Sequence, residues 1–123
     1  MIAEDVALNM EVAIKLLSMV GVSCTCAEDG KQAVEIYEQS KEGYYDAIFL
    51  DINMPVMDGY EATQKIRKYS AKVPIIAVTA FAYASDEQRV MENGFDGYMP
   101  KPINARQLKA QITEIMQKRI ILL

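Results

Sequence analysis

The sequence contains no histidine among its 123 residues. This absence excludes metal sites built on imidazole, catalytic triads that need an imidazole base, and phosphohistidine formation within this chain. No apolar run reaches the roughly 20 residues that a bilayer-spanning helix needs. The N-terminal stretch MIAEDVALN carries acids where a secretory signal would carry basic and then apolar residues, so we expect a cytoplasmic protein.

The chain also lacks an excess of basic residues. The chain has 13 Lys and Arg residues against 17 Asp and Glu residues, which gives a net charge of −4. Nucleic-acid binding usually needs a basic face, so we expect no nucleic-acid contact by this domain. Because no segment can cross a bilayer, we expect no membrane contact by this domain either.

Cysteine occurs only twice, as Cys24 and Cys26 in an extended-looking segment. Side chains two residues apart point to the same face of a strand, an arrangement poorly placed for a disulfide between them. We therefore interpret the pair as two small buried apolar residues rather than as a metal or redox site.

What the chain does contain is a strict alternation of short apolar runs and amphipathic stretches. The apolar runs predict five strands, at 2–3, 22–27, 47–50, 74–78 and 97–99. The amphipathic stretches predict five helices, at about 8–20, from 30 onward, at 60–68, at 85–93 and after an N-cap at Asn104. The expected buried face of the first helix is Leu8, Val12, Leu16 and Met19.

Alternation of this kind predicts one α/β domain with a parallel sheet and helices on both sides. We expect residues 1–123 to form that single domain. The first strand is unusually short, which suggests a domain excised from a longer protein close to position 1.

Polar side chains follow four of the five predicted strands at the point where each strand ends. Glu4 and Asp5 follow the first strand, Asp51 the third, Thr79 the fourth and Lys101 the fifth. Ligands of open parallel sheets bind at the carboxyl ends of the strands. We therefore expect three carboxylates, a hydroxyl and an amine to meet at one edge of the sheet.

Such a set has a recognisable chemistry. Carboxylates that lie close together repel one another and call for a cation, and hard oxygen ligands with room for water suit Mg²⁺. A carboxylate can attack phosphorus to form an aspartyl phosphate, while a lysine ammonium pairs with a phosphoryl oxygen. The pattern indicates Mg²⁺-dependent phosphoryl transfer to one of these carboxylates.

Four motifs, in order and over essentially the whole chain, resemble those of the receiver (response-regulator) family of two-component signalling. They are Glu4-Asp5, the run from Asp51 to Gly59 (DINMPVMDG), Thr79-Ala80 and Lys101-Pro102. The resemblance implies a sheet doubly wound with five helices in the flavodoxin-like strand order 2-1-3-4-5.

For the metal, the resemblance implies that Asp51 is both the phosphoacceptor and a ligand. Asp5 would bind Mg²⁺ directly, Glu4 would act through metal-bound water, and Asn53 would offer its backbone carbonyl. The first acid is Glu where the family more often has Asp, a change that it tolerates.

For the phosphoryl group, the resemblance implies a hydrogen bond from Thr79, open space beside Ala80 and an ion pair with Lys101. Tyr98 matches the aromatic residue that moves inward as the threonine shifts on phosphorylation. Taken singly, each has a plainer interpretation: Asp51 as a helix cap, Thr79 as an ordinary strand end, Tyr98 as a packing aromatic.

The implied function is that of a signalling domain rather than an enzyme with a separate substrate. It would accept a phosphoryl group from a histidine kinase or a histidine phosphotransfer domain and present a changed face, from the fourth helix to the fifth, to an effector or relay partner. Homodimer formation on phosphorylation is a further expectation. The Ile-Ala-Glu-Asp start, Asn9 and the Thr-Ala-Phe-Ala segment resemble receivers of hybrid histidine kinases most.

Three alternatives stay open. The first is a degenerate receiver that binds partners without phosphorylation, against which the intact acid, Thr and Lys set argues. The second is an aspartyl-phosphate phosphatase, but Asn53 stands where that class has a second acid, and no capping insertion is present. The third is a flavin-binding carrier of similar fold, which the lack of a Gly-rich loop after the first strand disfavours.

Overall fold

The computed structural model describes residues 1–3, 7–19, 21, 24–41, 43–52, 56–79, 84–101 and 104–122, of which 7–10, 13, 84–87 and 116–122 are described by backbone only. Five strands alternate with five helices. The strands are β1 (Ile2–Ala3), β2 (Cys26–Ala27), β3 (Ile48–Asp51), β4 (Ile75–Thr79) and β5 (Gly97–Pro100). The helices are α1 (Ala7–Met19), α2 (Gly30–Gln39), α3 (Gly59–Arg67), α4 (Ala84–Glu92) and α5 (Ala105–Leu122).

The strands form one sheet in the order β2-β1-β3-β4-β5, and every pairing is parallel. Both the doubly wound architecture and the order predicted from the resemblance are therefore confirmed. Every residue of β3 and β4 is buried, as expected for central strands covered on both faces.

Two hydrophobic cores lie on opposite faces of the sheet. The first core packs α2, α3 and α4 against the sheet and includes Ala33, Tyr37, Ala62, Ile66 and Val90. The second core packs α1 and α5 against the other face and includes Leu17, Leu108 and Ile115. Residues alternate between the cores along β4: Ile75 and Ala77 belong to the first, Ile76 and Val78 to the second.

The first helix buries a different face from the one predicted. Val12 and Met19 are 45% and 74% exposed, whereas Leu17, about a half-turn away from them, is 2% exposed. The helix carries two apolar stripes, and periodicity alone cannot tell which of them meets the sheet. The predicted burial was therefore wrong for Val12 and Met19. Leu16 is partly buried. Leu8 lies among the residues described by backbone only.

The second strand is shorter than predicted, since Cys24 and Thr25 lie outside it and residues 22–23 are not among those described. Both cysteines are free, with their Sγ atoms 3.9 Å apart. This contact agrees with the same-face prediction. The expectation that both are buried was wrong, because Cys24 is half-buried and Cys26 is exposed at the sheet's edge strand.

Predicted helix ends agree well with the structure. Gly21, just beyond α1, and Gly94, just beyond α4, have φ values of 80° and 92°, which residues with a Cβ rarely adopt. Asp29 and Asn104 cap α2 and α5, each accepting a backbone N–H from the residue three positions on. None of the described helices is long and apolar enough to cross a membrane; the cytoplasmic location stays a prediction.

One arginine joins the end of α3 to the strands at its side. The Arg67 guanidinium donates to the carbonyl of Val73 at 2.7 Å and to that of Gly94 at 2.8 and 2.9 Å. It also pairs with Asp96 at 2.6 Å, and the same Asp96 oxygen accepts the N–H of Ile75. This network holds the amino ends of β4 and β5 in register with α3.

Thr63, on α3, is completely buried, and its hydroxyl has no hydrogen-bond partner among the described residues. A buried polar group left unpaired costs about 1–3 kcal/mol. Thr63→Val keeps the shape and removes the hydroxyl, so we expect the free energy of unfolding in urea to rise by about 1 kcal/mol. Thr63→Ser keeps the hydroxyl, loses the methyl group and should lower it. A valine variant less stable than the parent would contradict this.

Candidate functional site

The pairing of β3, β4 and β5 aligns their carboxyl ends. Asp51 pairs with Val78, and Thr79 pairs with Pro100. The alignment continues just past the strands, where the Lys101 N–H donates to the Thr79 carbonyl at 2.7 Å. The structure therefore brings three of the predicted site residues, Asp51, Thr79 and Lys101, to one edge of the sheet.

At this edge the Lys101 ammonium donates to a carboxylate oxygen of Asp51 at 2.6 Å. The Asp51 side chain is only 3% exposed and that of Lys101 19%. Charges so far removed from water persist when they are paired, because the attraction between them offsets part of the lost hydration. The pair is thus a buried carboxylate held next to a cation, at the end of a rigid central strand.

The start of α3 rests directly on the backbone of the candidate acceptor. A Cβ added at Gly59 would lie 2.6 Å from the Asp51 carbonyl oxygen and 2.8 Å from Cα of Ile52. The Gly59 N–H donates to the Ile52 carbonyl at 2.9 Å, and Asp58 caps the helix through the N–H of Glu61. Gly59 has no positive φ, so glycine is needed here for this close approach rather than for unusual backbone angles.

Thr79 and Tyr98 share one face of the sheet. Thr79 follows the alternation of Ile75 and Ala77, so it lies on the face of the first core, where it is 3% exposed. Tyr98 pairs in register with Ala77 and packs, half-buried, against the same core. In this register Tyr98 lies diagonally across from Thr79 on the same face of the sheet.

Four predicted site residues, Glu4, Asp5, Asn53 and Ala80, lie outside the described residues. No group of three or more potential metal-ligating side chains occurs within the part of the chain that the structure describes. β1, however, ends at Ala3, which pairs with Leu50, the residue before Asp51. Glu4 and Asp5 thus follow β1 in the chain at the carboxyl end of the strand next to β3.

One residue beside the site was not singled out in the sequence. Val56, in the loop between β3 and α3, has a φ of 68° and is 78% exposed. A β-branched residue in the left-handed region is strained, and exposure gives it no packing in return. No sequence signal could have located this strain, because valine is among the residues least expected at a positive φ.

Comparison with known proteins agrees with this geometry. Residues 1–113 match the family described as the response regulator receiver domain. The chain belongs to this family. It is a receiver domain of two-component signalling.

One relative is hybrid signal transduction histidine kinase I of Dictyostelium discoideum, with 43% identity over 114 residues. That match covers 88% of this chain and 7% of the kinase. The receiver domain spans 7% of the length of this kinase and between 5% and 12% of the length of four other histidine kinases that it matches.

Two solved structures are also similar to this receiver domain. The receiver domain of sensor histidine kinase PA1611 from Pseudomonas aeruginosa PAO1, with magnesium coordinated in its active site cleft, shows 35% identity, a TM-score of 0.84 and 94% coverage of both chains. The receiver domain of Saccharomyces cerevisiae Ssk1, co-crystallised with the histidine phosphotransfer protein Ypd1, shows 30% identity and a TM-score of 0.83, over 92% of this chain and 84% of that chain.

The contact between α3 and the acceptor strand can be tested by Gly59→Ala. Helix propensity alone favours alanine over glycine by about 1 kcal/mol. We expect the opposite sign, a loss of about 2 kcal/mol in the free energy of unfolding, because the new methyl group meets the Asp51 backbone. Glu61→Ala, exposed in the same turn, should change it by less than about 0.5 kcal/mol. A stabilised Gly59→Ala protein would refute the close approach.

Proposed function

We propose that this receiver domain accepts a phosphoryl group on Asp51 from a phosphohistidine donor in a Mg²⁺-dependent reaction. The observation that carries the proposal is the buried ion pair between Lys101 and Asp51 at the carboxyl edge of the sheet. Stability alone gives little reason to bury a carboxylate and an ammonium, whereas a phosphoryl-transfer site needs both.

The residues at this edge fit a magnesium ion by their chemistry. Asp51 supplies a carboxylate, Glu4 and Asp5 follow the neighbouring strand, and Asn53 would add its backbone carbonyl. Oxygen donors of this kind are those that Mg²⁺ prefers. When bound, the ion supplies positive charge that offsets the charge of the phosphoryl oxygens.

In the transfer step, an Asp51 carboxylate oxygen attacks phosphorus and forms a P–O bond. The P–N bond to the donor imidazole breaks, and the imidazole nitrogen keeps the electron pair. Lys101, already within hydrogen-bond distance of the carboxylate, is placed to pair with a phosphoryl oxygen as charge builds there. Water later cleaves the acyl phosphate and restores the carboxylate.

The switch is proposed to run from Thr79 to Tyr98. A hydroxyl hydrogen bond to the phosphoryl group would draw Thr79 toward Asp51 and open space on the face that Tyr98 shares. Inward movement of Tyr98 would change the surface formed by α4, β5 and α5. An effector, a relay partner or a second copy of the domain would then bind the two states with different affinities.

The exposed stripe of α1 is the surface that we propose for the phosphodonor. Val12 lies on it, in the half of α1 nearer the carboxyl edge of the sheet, and strained Val56 adds a second exposed apolar side chain in the loop after Asp51. Apolar side chains that are exposed together near a reactive edge could form such a contact surface. Ypd1, which binds the similar Ssk1 receiver, suggests a histidine phosphotransfer domain or kinase as the partner.

The kind of protein in which this domain works is proposed from similarity alone. The histidine kinases compared above are much longer than this domain. We infer that this receiver domain works within, or together with, a hybrid histidine kinase, and that it is itself a signalling domain rather than an enzyme with a separate substrate.

Phosphorylation is tested by intact mass after incubation with Mg²⁺ and acetyl phosphate. We expect a gain of one phosphoryl group, lost in Asp51→Asn and on removal of Mg²⁺ by a chelator, because acceptor and metal act together. Asp58→Asn is the matched control: it changes a nearby exposed carboxylate that caps α3, and it should leave the adduct in place.

The same experiment distinguishes a phosphorylated receiver from a degenerate receiver that binds partners without phosphorylation. If no adduct forms in a folded protein, and beryllofluoride also fails to bind, a short-lived phosphate is excluded and the domain acts by binding alone. An adduct that persists in Asp51→Asn would instead place the acceptor elsewhere.

The donor surface is tested by Val12→Glu at 45% exposure, with Met91→Glu on α4 as the matched control at 49% exposure. A charge on the α1 stripe should slow transfer from a phosphorylated histidine phosphotransfer domain by about tenfold or more, because it disrupts an apolar contact. The acetyl phosphate reaction of each variant serves as the reference for an intact site. Equal slowing by both variants, or none by Val12→Glu, would show that the donor binds elsewhere.

A further inference from the structure

Cys24 and Cys26 form a pair of accessible thiols at the edge of the sheet. Cys26 is exposed, Cys24 is half-buried, and both are free cysteines. They lie on either side of Thr25 at the start of β2, the edge strand next to β1. Core packing therefore does not explain why the second cysteine is present, although the sequence predicts both to be buried.

The backbone holds the two cysteine side chains on one face of the sheet. The carbonyl of Thr25, between them, accepts the N–H of Ile2 at 2.9 Å, and Cys26 pairs in register with Ile2. Extended backbone of this kind directs side chains two positions apart to the same side. In consequence, the two Sγ atoms lie 3.9 Å apart.

This separation suits a single atom that bridges the two sulfurs. A disulfide needs the sulfurs about 2 Å apart, so a direct bond would require the strand to distort. Thiolate–metal bonds of about 2.3 Å, the length known for zinc, would span the pair with an angle of about 116° at the ion. That angle lies between the tetrahedral and the trigonal values. The pair is therefore preorganised for a metal ion rather than for a disulfide.

Electrostatics also favours a cation shared by the two sulfurs. Burial, and then the neighbouring Cys26, raise the pKa of the Cys24 thiol to about 11. Two thiolates so close together repel each other, and a positive ion between them removes that repulsion. A coordinated metal ion displaces the thiol protons as it binds.

The surroundings of the pair limit the number of ligands that the protein supplies. Cys26 is exposed, and Cys24 lines a cavity of about 390 Å³ beside β1 whose inner wall, formed by Leu17, Phe49 and Ile115, is apolar. Within the described ranges, no group of three or more His, Cys, Asp or Glu side chains could hold a metal ion. The pair therefore suits an ion that is satisfied by few, soft ligands.

We propose that Cys24 and Cys26 form a two-thiolate binding site for Cu(I). Thiolates select soft ions, among which Cu(I) accepts two or three ligands, whereas structural zinc and iron–sulfur sites use four. On binding, each thiol loses its proton and each sulfur forms one bond to the ion, so the bound unit carries one negative charge. A small thiol from solvent would take a third position. The site lies two strands away from Asp51 and is independent of the proposed phosphoryl transfer.

The test is an anaerobic titration of the reduced 123-residue chain with Cu(I), in competition with the chromogenic chelator bicinchoninate. We expect one Cu(I) per chain, by absorbance and by native mass. Cys24→Ser and Cys26→Ser should each weaken binding by about 100-fold or more, because a chelating pair loses one of its two linked ligands. The melting temperature of each variant without copper checks that it folds.

Met91→Leu is the matched control. It removes an exposed thioether, the other kind of soft sulfur ligand, from α4 on the opposite face of the sheet. We expect it to bind Cu(I) as tightly as the parent does, since the two thiols are unchanged.

Protection from alkylation tests the pair in the unaltered chain. Without metal, iodoacetamide should label the exposed Cys26 first, as followed by intact mass and peptide mapping. One equivalent of Cu(I) should slow the labelling of both cysteines by about tenfold or more, because a coordinated thiolate is no longer free to react.

Protection of Cys26 alone, one Cu(I) bound per two chains, or unchanged affinity in both folded serine variants would overturn the proposal. A dissociation constant for Zn(II), measured with a zinc indicator, as low as that for Cu(I) would overturn it as well, because the pair would then not select its ion by softness and ligand number.

Discussion

Parallel pairing of β3 with β4 and β5 is the constraint on which the remaining features depend. The register places the last residue of β3 beside Val78 and the last residue of β4 beside Pro100, so Asp51, Thr79 and Lys101 reach the same edge without any direct sequence proximity. Helices that cover both faces make these strands rigid, because every residue of β3 and β4 is buried. Precise placement of reactive groups is what phosphoryl transfer demands of a protein.

Around this edge, several residues adopt arrangements that are unfavourable for the stability of the fold. Asp51 and Lys101 are held away from water as an ion pair, and Val56 adopts a strained backbone conformation while exposed. Gly59 has no side chain, which allows α3 to approach the backbone of the acceptor strand closely. The opposite, amino end of the sheet is organised differently, by the Arg67 network near β4 and β5 and by the apolar cavity beside β1.

Much of the fold and part of the site could be predicted from the sequence. Apolar runs that end in a polar residue, such as Ile48 to Asp51, show where central strands stop, and the glycines at 21 and 94 mark helix ends. Four motifs in order were sufficient for the family, which the match over residues 1–113 confirms. The roles of Glu4, Asp5, Asn53 and Ala80 stay predictions, since those residues lie outside the described part of the chain.

The sequence by itself determined the order of strands and helices and the identity of the polar residues at the strand ends. Hydrophobic periodicity and the residues that end helices and strands are local properties of the sequence. Tertiary structure alone decided which stripe of α1 is buried: Leu17 meets the second core, while Val12 and Met19 face outward. It also decided that Gly59 is needed for contact rather than for its backbone angles. Such choices depend on which surfaces of distant segments meet, and a helix with two apolar stripes carries no local signal that selects between them.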